Sequence, residues 1–250
     1  MAFQTVFKRY ELKYMLTLEQ KKKIQSAISQ YMEPDQYGRT AIRNIYFDTD
    51  NYRLIRRSIE KPAYKEKLRI RSYSKATAGS TVFVELKKKY ENVVYKRRLP
   101  LCEKEAMAWI CREKACPFDT QISREIDYFI DFYGKLKPTV FLSYEREAYC
   151  DRSGGDFRVT FDDTILARRS DISLCSPIYG EPLIPEGMVL MELKCSGGIP
   201  LWMVEMLSRE RIYKTSFSKY GMAYTALIFP ETYLKKSTKQ KEIITNGCNI

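Results

Sequence analysis

The residues in this sequence best suited to chemistry are arginines and lysines set two apart. Lys67, Arg69 and Arg71 alternate through Tyr64–Tyr73, Lys96 and Arg98 through Val93–Leu99, and Arg9, Glu11 and Lys13 share one parity near the start. Glu85, Lys87 and Lys89 share a parity opposite Val82, Val84 and Leu86. Tyr144 pairs in this way with Arg146, and Arg158 with Thr160 and Asp162. Leu190, Glu192 and Lys194 follow the same rule. A period of two puts such side chains on one face of a β-strand. Guanidinium groups bind phosphate or carboxylate oxygens two at a time, while ammonium groups act as point charges. Together they suit a polyanion.

Other chemistries are excluded by absence. The sequence contains no histidine. That removes Ser-His-Asp and Cys-His nucleophile systems, imidazole bases and most zinc sites. The cysteines are Cys102, Cys111, Cys116, Cys150, Cys175, Cys195 and Cys248, an odd number without a CxxC pair. They predict neither a disulfide framework nor a four-thiolate metal site. Reduced thiols and a cytoplasmic location are expected.

The chain has 250 residues, with 43 Lys+Arg against 31 Asp+Glu, a formal net charge of +12. Hydrophobic residues make up 44%, enough for a folded core. The charge excess predicts an anionic partner. The cations are spread over the whole chain, with only Lys21–Lys23 grouped on a helix, so a nucleic-acid partner is not expected. The longest stretch free of charge, Tyr220–Pro230, has eleven residues, short of the roughly 20 a membrane span needs. Lys8 and Arg9 precede any apolar run, so no signal peptide is expected. The expected organisation is one domain over residues 1–234, with a helical insert near 102–135, and a polar, basic tail over 235–250.

The elements that must position these residues are mostly strands. Tyr10–Leu16, Ala41–Asp48, Tyr64–Tyr73, Ser80–Lys89, Val93–Leu99, Thr139–Tyr149, Phe157–Asp162 and Met188–Lys194 all alternate, and eight strands are enough to close a barrel. Thr17 and Gln20 form a capping box before a helix carrying Ile24 and Ile28. Asp50 is the expected cap of a short helix ending at Ile59. Further helices are expected over Glu103–Glu113, Ser123–Tyr133 (stopped by Gly134), Leu201–Arg209 and Lys219–Leu227. Each alternating strand on its own reads as one dry and one solvated face. As neighbours, they would put Arg69, Arg71, Lys87, Lys96, Arg98, Arg146 and Arg158 on one face. Like charges opposite one another destabilise a sheet, less so around a space filled by anions. The expected fold is therefore α+β: an eight-stranded antiparallel β tunnel with a cationic lumen and helices packed outside.

Eight short motifs occur in order on these elements: Arg9-x-Glu11-x-Lys13, Tyr46-Phe-Asp-Thr49, Leu68-Arg-Ile-Arg71, Val84-Glu-Leu-Lys87, Ser143-Tyr-Glu-Arg146, Arg158-Val-Thr-Phe-Asp162, Met191-Glu-Leu-Lys194 and Phe217-Ser-Lys-Tyr220. Over residues 5 to 230 the sequence resembles the VTC domain. This is the polyphosphate polymerase branch of the triphosphate tunnel metalloenzymes, related to the adenylate cyclase and thiamine triphosphatase superfamily. The resemblance implies a triphosphate tunnel fold that binds ATP and polyphosphate with a divalent metal, Mn2+ or Mg2+. It implies catalytic roles for Arg69, Arg71, Arg146 and Lys219, and substrate binding by Lys13, Lys87, Lys96, Tyr144, Arg158, Lys194 and Ser218. Glu192 matches the metal-binding carboxylate.

Hydrolytic members of the wider superfamily open with Glu-x-Glu-x-Lys. Here the first position is Arg9, which suits the polymerase branch and not a two-metal hydrolase. Eukaryotic relatives add an inositol-phosphate-sensing domain and a transmembrane segment. This sequence shows neither, so a membrane-protein partner would supply such roles. The expected function is ATP-dependent synthesis of polyphosphate. A triphosphatase of the same fold and a non-catalytic polyphosphate-binding module are the alternatives. Taken residue by residue, Glu85 is expected to partner a lumen lysine, and Asp48 to form an Asx-type turn. Asp162 is either a supporting acid in the site or a turn former. Glu11 with Lys13, and Glu192 with Lys194, also fit solvent-facing ion pairs.

Overall fold

A computed structural model describes residues 6–91 and 93–230, the first four of these by their backbone alone. The basic tail expected at 235–250 lies outside the described residues. In chain order the elements are β1 (Val6–Thr17), α1 (Leu18–Ile28), β2 (Met32–Pro34), β3 (Thr40–Asp48), α2 (Arg53–Ile59), β4 (Tyr64–Ser72), β5 (Thr81–Tyr90) and β6 (Val93–Cys102). Then come α3 (Glu103–Ile110), α4 (Gln121–Tyr133), β7 (Lys137–Asp151), β8 (Arg158–Arg168), β9 (Glu181–Pro182), β10 (Met188–Cys195), α5 (Leu201–Arg209) and α6 (Lys219–Ala223). A π-helical turn, Tyr224–Ile228, continues α6.

The sheet order is β2-β7-β3-β4-β5-β6-β1-β10-β8-β9, and β7 also pairs with β8. That second pairing closes eight strands into a barrel and leaves β2 and β9 as short outer additions. All the pairings are antiparallel. These eight are the strands read from alternation.

Apolar residues of the other parity face outward and carry the helices. Ile45, Leu68, Ile70, Val84 and Leu86 pack under Trp109 of α3 and Ile126, Phe129 and Ile130 of α4. Leu16, Val159, Phe161, Met191 and Leu193 pack under Ile24 and Ile28 of α1 and Met203 and Met206 of α5. The main cores thus lie between wall and helices, leaving the inward face to polar groups.

One expectation needs correction. Asp50 does not cap α2; it pairs with Lys137 at 2.6 Å. The orphan amides of α2 are met instead by Asp48, fully buried, which accepts from Leu54 and Ile55 at 2.9 and 3.0 Å. Asp48 also accepts from the Thr49 amide at 2.8 Å, the expected Asx-type contact, and from the Tyr220 hydroxyl at 2.9 Å. The helices pack around the barrel as expected, and the last helical stretch also reaches inward. Tyr220, Ala223 and Tyr224 of the last helical stretch pack on inward-facing Ile42, Leu142, Leu190 and Tyr46. The interior is therefore apolar on the β3–β7–β10 side at that end, because an inserted helix needs an apolar face to bury.

Candidate active site

Two networks centred on carboxylates hold the inward-facing cations. The first is built on Glu85 of β5, only 1% exposed. Register sets it between Arg69 of β4 and Arg98 of β6. Arg69 donates to it through Nε at 2.8 Å and lies 2.7 Å away through Nη2. Arg98 reaches it at 2.6 Å, Lys96 at 3.3 Å and Arg71 at 3.9 Å. Burial pushes the Glu85 carboxyl upward, but Arg71, Arg69, Lys96 and Arg98 outweigh burial and hold it well below the usual range. Neutral groups fix the remaining arginine edges. Arg71 donates to Asn44 Oδ1 at 3.0 Å and to the Tyr144 hydroxyl at 2.9 Å. Arg69 donates to the Tyr46 hydroxyl at 3.0 Å, and the Tyr46 ring stacks on Tyr220 at 4.7 Å.

The second network joins Asp162 of β8 to Glu192 of β10. Arg146 of β7 grips Asp162 with two hydrogen bonds, 2.6 and 2.7 Å long, the fork geometry that makes such pairs strong. Lys219, the first residue of α6, donates to Asp162 at 2.5 Å and to Glu192 at 3.3 Å. Lys194 at 3.0 Å, Lys13 at 3.4 Å and Arg146 at 3.5 Å complete a ring of four cations around Glu192. Burial alone would raise Glu192; Lys219, Lys194, Lys13 and Arg146 hold it well below the usual range. The Tyr144 ring lies under both Arg146 and Lys219, with centroid distances of 5.0 and 4.5 Å. Burial lowers Lys194 to about 8 against the pull of Glu192, and lowers Lys96 to about 7 against that of Glu85.

A third region lies where the chain leading into α6 enters the barrel. Lys214 bridges to Tyr14, the Thr215 amide donates to the Lys13 carbonyl at 2.7 Å, and Lys13 Nζ donates to the Phe217 carbonyl at 2.9 Å. On the wall beside this segment Lys67 stands opposite Lys87, and Lys65 opposite Lys89. Glu11 neutralises Lys87 at 2.7 Å. Lys67 donates to Ser218 Oγ at 2.9 Å and Lys65 to the Ser58 carbonyl at 3.2 Å, both neutral acceptors.

Taken together, Lys13, Lys65, Lys67, Arg69, Arg71, Lys87, Lys89, Lys96, Arg98, Arg146, Lys194 and Lys219 face Glu11, Glu85, Asp162 and Glu192. That is about three cations per carboxylate, in an enclosure where burial strengthens every charge. The sequence pattern of the VTC domain family matches residues 8–228. The chain belongs to the VTC domain family. The VTC barrel is also similar to two solved structures. One is a candidate adenylate cyclase from Bacillus halodurans, at 17% identity and TM-score 0.54, covering 86% of this chain and 96% of that one. The other is a candidate adenylyl cyclase from Hippeastrum with a dominant triphosphatase activity, at 16% identity and TM-score 0.52, covering 89% and 96%. These likenesses show a shared triphosphate tunnel-type fold. A comparison with curated proteins finds no match.

Within this VTC domain, the residues read from sequence fall into three groups. Arg69, Arg71 and Lys96 join the Glu85 network. Arg146, Lys219, Lys13 and Lys194 meet at Asp162 and Glu192, with Tyr144 between the two networks. Lys87 and Ser218 belong to the third region. Arg158 stands apart: it has the parity of Thr160 and Asp162 but lies at the strand end, exposed, opposite Lys194. Glu85 partners a lumen lysine as expected, and three arginines besides. Asp162 is fully buried mid-strand and is not a turn former. Glu11 pairs with Lys87 of another strand inside the barrel, and Glu192 pairs with Lys194 along its own strand, also inside, so neither faces bulk solvent. The sequence marks Lys67 by its alternation but gives it no role in the site, and it gives none to Asn44 or Tyr46. Their parity with Arg69 and Arg71 across the β3–β4 register carries the signal, but register is not visible in one strand alone.

Among the described residues no group of three or more His, Cys, Asp or Glu side chains is placed to hold a metal. Glu192 fits a metal only as a single carboxylate with phosphate oxygens supplying most other ligands, the usual way Mg2+ sits with polyphosphates. Its four cationic neighbours oppose a metal arriving without its anion. Also among the described residues, no helix is long and apolar enough to cross a membrane.

Proposed function

We propose that this VTC domain is an ATP-dependent polyphosphate polymerase, transferring the γ-phosphoryl group of ATP to the end of a growing inorganic polyphosphate. The observation that carries this reading is the threefold excess of inward cations over carboxylates inside a closed barrel, with no histidine in the chain. Phosphoryl transfer asks mainly for positioning and charge neutralisation. The terminal phosphate is already an anionic nucleophile. One P–O bond to it forms as the bond to ADP breaks, and atoms and charge balance without a side-chain base. Arg69, Arg71 and Arg146 would stabilise the transferring group, each held from behind by Glu85, by Asn44 and Tyr144, or by Asp162. Lys219 would orient the terminal phosphate, with Ser218, Lys13, Lys87, Lys96, Lys194 and Arg158 binding the chain. Glu192 would hold a divalent ion, Mn2+ or Mg2+, which would supply positive charge to offset the negative charge developing on the leaving group. The lack of a protein-only metal cluster among the described residues, and Arg9 in place of a first carboxylate, favour transfer over two-metal hydrolysis.

The test is incubation with ATP and Mn2+, with products resolved by gel. Chains of many phosphates are expected. Orthophosphate alone would identify a triphosphatase, and tight polyphosphate binding without turnover a binding module.

A further inference from the structure

Consecutive inward rungs of the β4–β5 ladder differ in kind. At Arg69 the partner across the sheet is Glu85, which also takes Arg98 from the next strand. One and two rungs further along, the partners of Lys67 and Lys65 are Lys87 and Lys89. Like charges directly opposite destabilise a sheet, and here they occur twice in succession. The surrounding charges make it worse. Lys13 bears on Lys65, Lys67 and Lys89, Lys61 on Lys65, and Lys214 on Lys89. Glu11, bound to Lys87, is the one carboxylate among the described residues that pairs with this group. The ammonium groups of Lys65 and Lys67 rest on a carbonyl and a hydroxyl, which satisfy donors but cancel no charge. All four lysines are only half-buried, so a solute can reach them.

We propose that the lysine pairs Lys65/Lys89 and Lys67/Lys87 form a second phosphate subsite, filled only by the part of a linear inorganic polyphosphate that extends past the arginine-lined site. This rests on the reading that the arginines hold phosphates. Arg69 and Lys65 are four residues apart on one extended strand, about 13 Å, so only a long ligand touches both. The chemistry of the two subsites suits the division. Forked arginines locked by carboxylates fix a phosphate in one orientation, whereas flexible ammonium groups attract any phosphate in a chain without fixing its register. The subsite therefore acts on ligand length: it adds affinity for a chain and little for a triphosphate.

Calorimetry at fixed ionic strength on the full chain tests this, with inorganic triphosphate and a polyphosphate of about 25 units as ligands. The wild-type protein should prefer the long chain, and K65Q/K89Q should lower the ratio of the two affinities by about tenfold, the scale of a lost charged contact. K65R/K89R should keep the ratio, and K22Q/K114Q, which removes the same charge from exposed surface positions, should leave it unmoved. Wild-type protein that binds neither ligand would overturn the tunnel reading and the subsite with it. Binding of both, with a ratio unchanged in K65Q/K89Q, would overturn the subsite alone. So would an equal fall in K22Q/K114Q, which would make net charge the cause. Competition by an oligouridylate as strong as by polyphosphate would mark an RNA groove instead. A melting curve for each variant separates lost binding from lost folding. Removing the repulsion should raise the melting temperature of K65Q/K89Q without ligand.

Discussion

The Glu85 and Asp162–Glu192 networks and the Lys65–Lys67 rungs share one lumen and one sheet, yet they manage charge in opposite ways. In the networks each buried carboxylate gathers several cations before any ligand arrives. Burial opposes the charge on Arg69 and Arg146, but the groups facing them raise both well above the ordinary arginine value: Tyr46 and Glu85 for Arg69, Asp162 and Tyr144 for Arg146. In the rungs burial and neighbouring lysines act together, and Lys67 falls well below its ordinary value. A site with internal counter-ions is organised in advance and pays no reorganisation when a phosphate binds. A site without them is strained until an anion enters. Preorganisation and attraction are thus separated within a few residues of one strand.

The largest expected effect would come from breaking the first region. Glu85→Gln leaves Arg69, Arg98, Lys96 and Arg71 facing a neutral group, and losing one partner of a buried ion pair costs about 3–5 kcal/mol. Urea unfolding should show this loss, and added triphosphate should recover more stability in E85Q than in wild type. Equal recovery would mean that the carboxylate is not standing in for an anion.

Catalysis comes next. Arg146→Ala and Lys219→Ala should each lower the rate of polymer formation by roughly 10²–10³, read by the ATP and Mn2+ assay. Asp162→Asn should act in the same direction by releasing both side chains. Rescue of the D162N rate by raising ATP would show a binding defect, not loss of position.

The smallest effect should be that of pH, and its two signs differ. Lys96 near 7 and Lys194 near 8 both lie below their ordinary 10.5. Between these values and 10.5 the unfolded chain holds protons that the fold has released, so ligand-free stability should rise with pH across that window. Phosphate binding needs the charged forms, so ATP affinity should fall by about tenfold between pH 7 and 9. ATP's terminal phosphate, with a second pKa of about 6, has already ionised there. Stability and affinity moving in the same direction would show that these lysines are not ligand contacts.

Much of the site was legible because a strand records its faces in parity. The alternation around Arg69, Lys87, Lys96, Arg146 and Glu192 put them on one face of their strands, the crowding of like charge on that face pointed it inward, and the Thr17–Gln20 capping box of α1 forms as read. Asn44 and Tyr46 were not legible, since their role depends on which residues of β4 stand opposite. The cap of α2 was misread for a related reason. Asp50 is nearer in sequence, but Asp48 is buried at the strand end, where it serves α2 and Tyr220 together.

The sequence by itself determined that cations would share one face of most of the eight strands, because a period of two leaves a strand no other arrangement with its apolar face covered. Tertiary structure alone decided which cations are neutralised. That depends on cross-strand register and on the entry of α6, which carries Lys219 to Asp162 across 57 residues of chain. Electrostatic energy falls with distance in space, and sequence separation does not measure that distance.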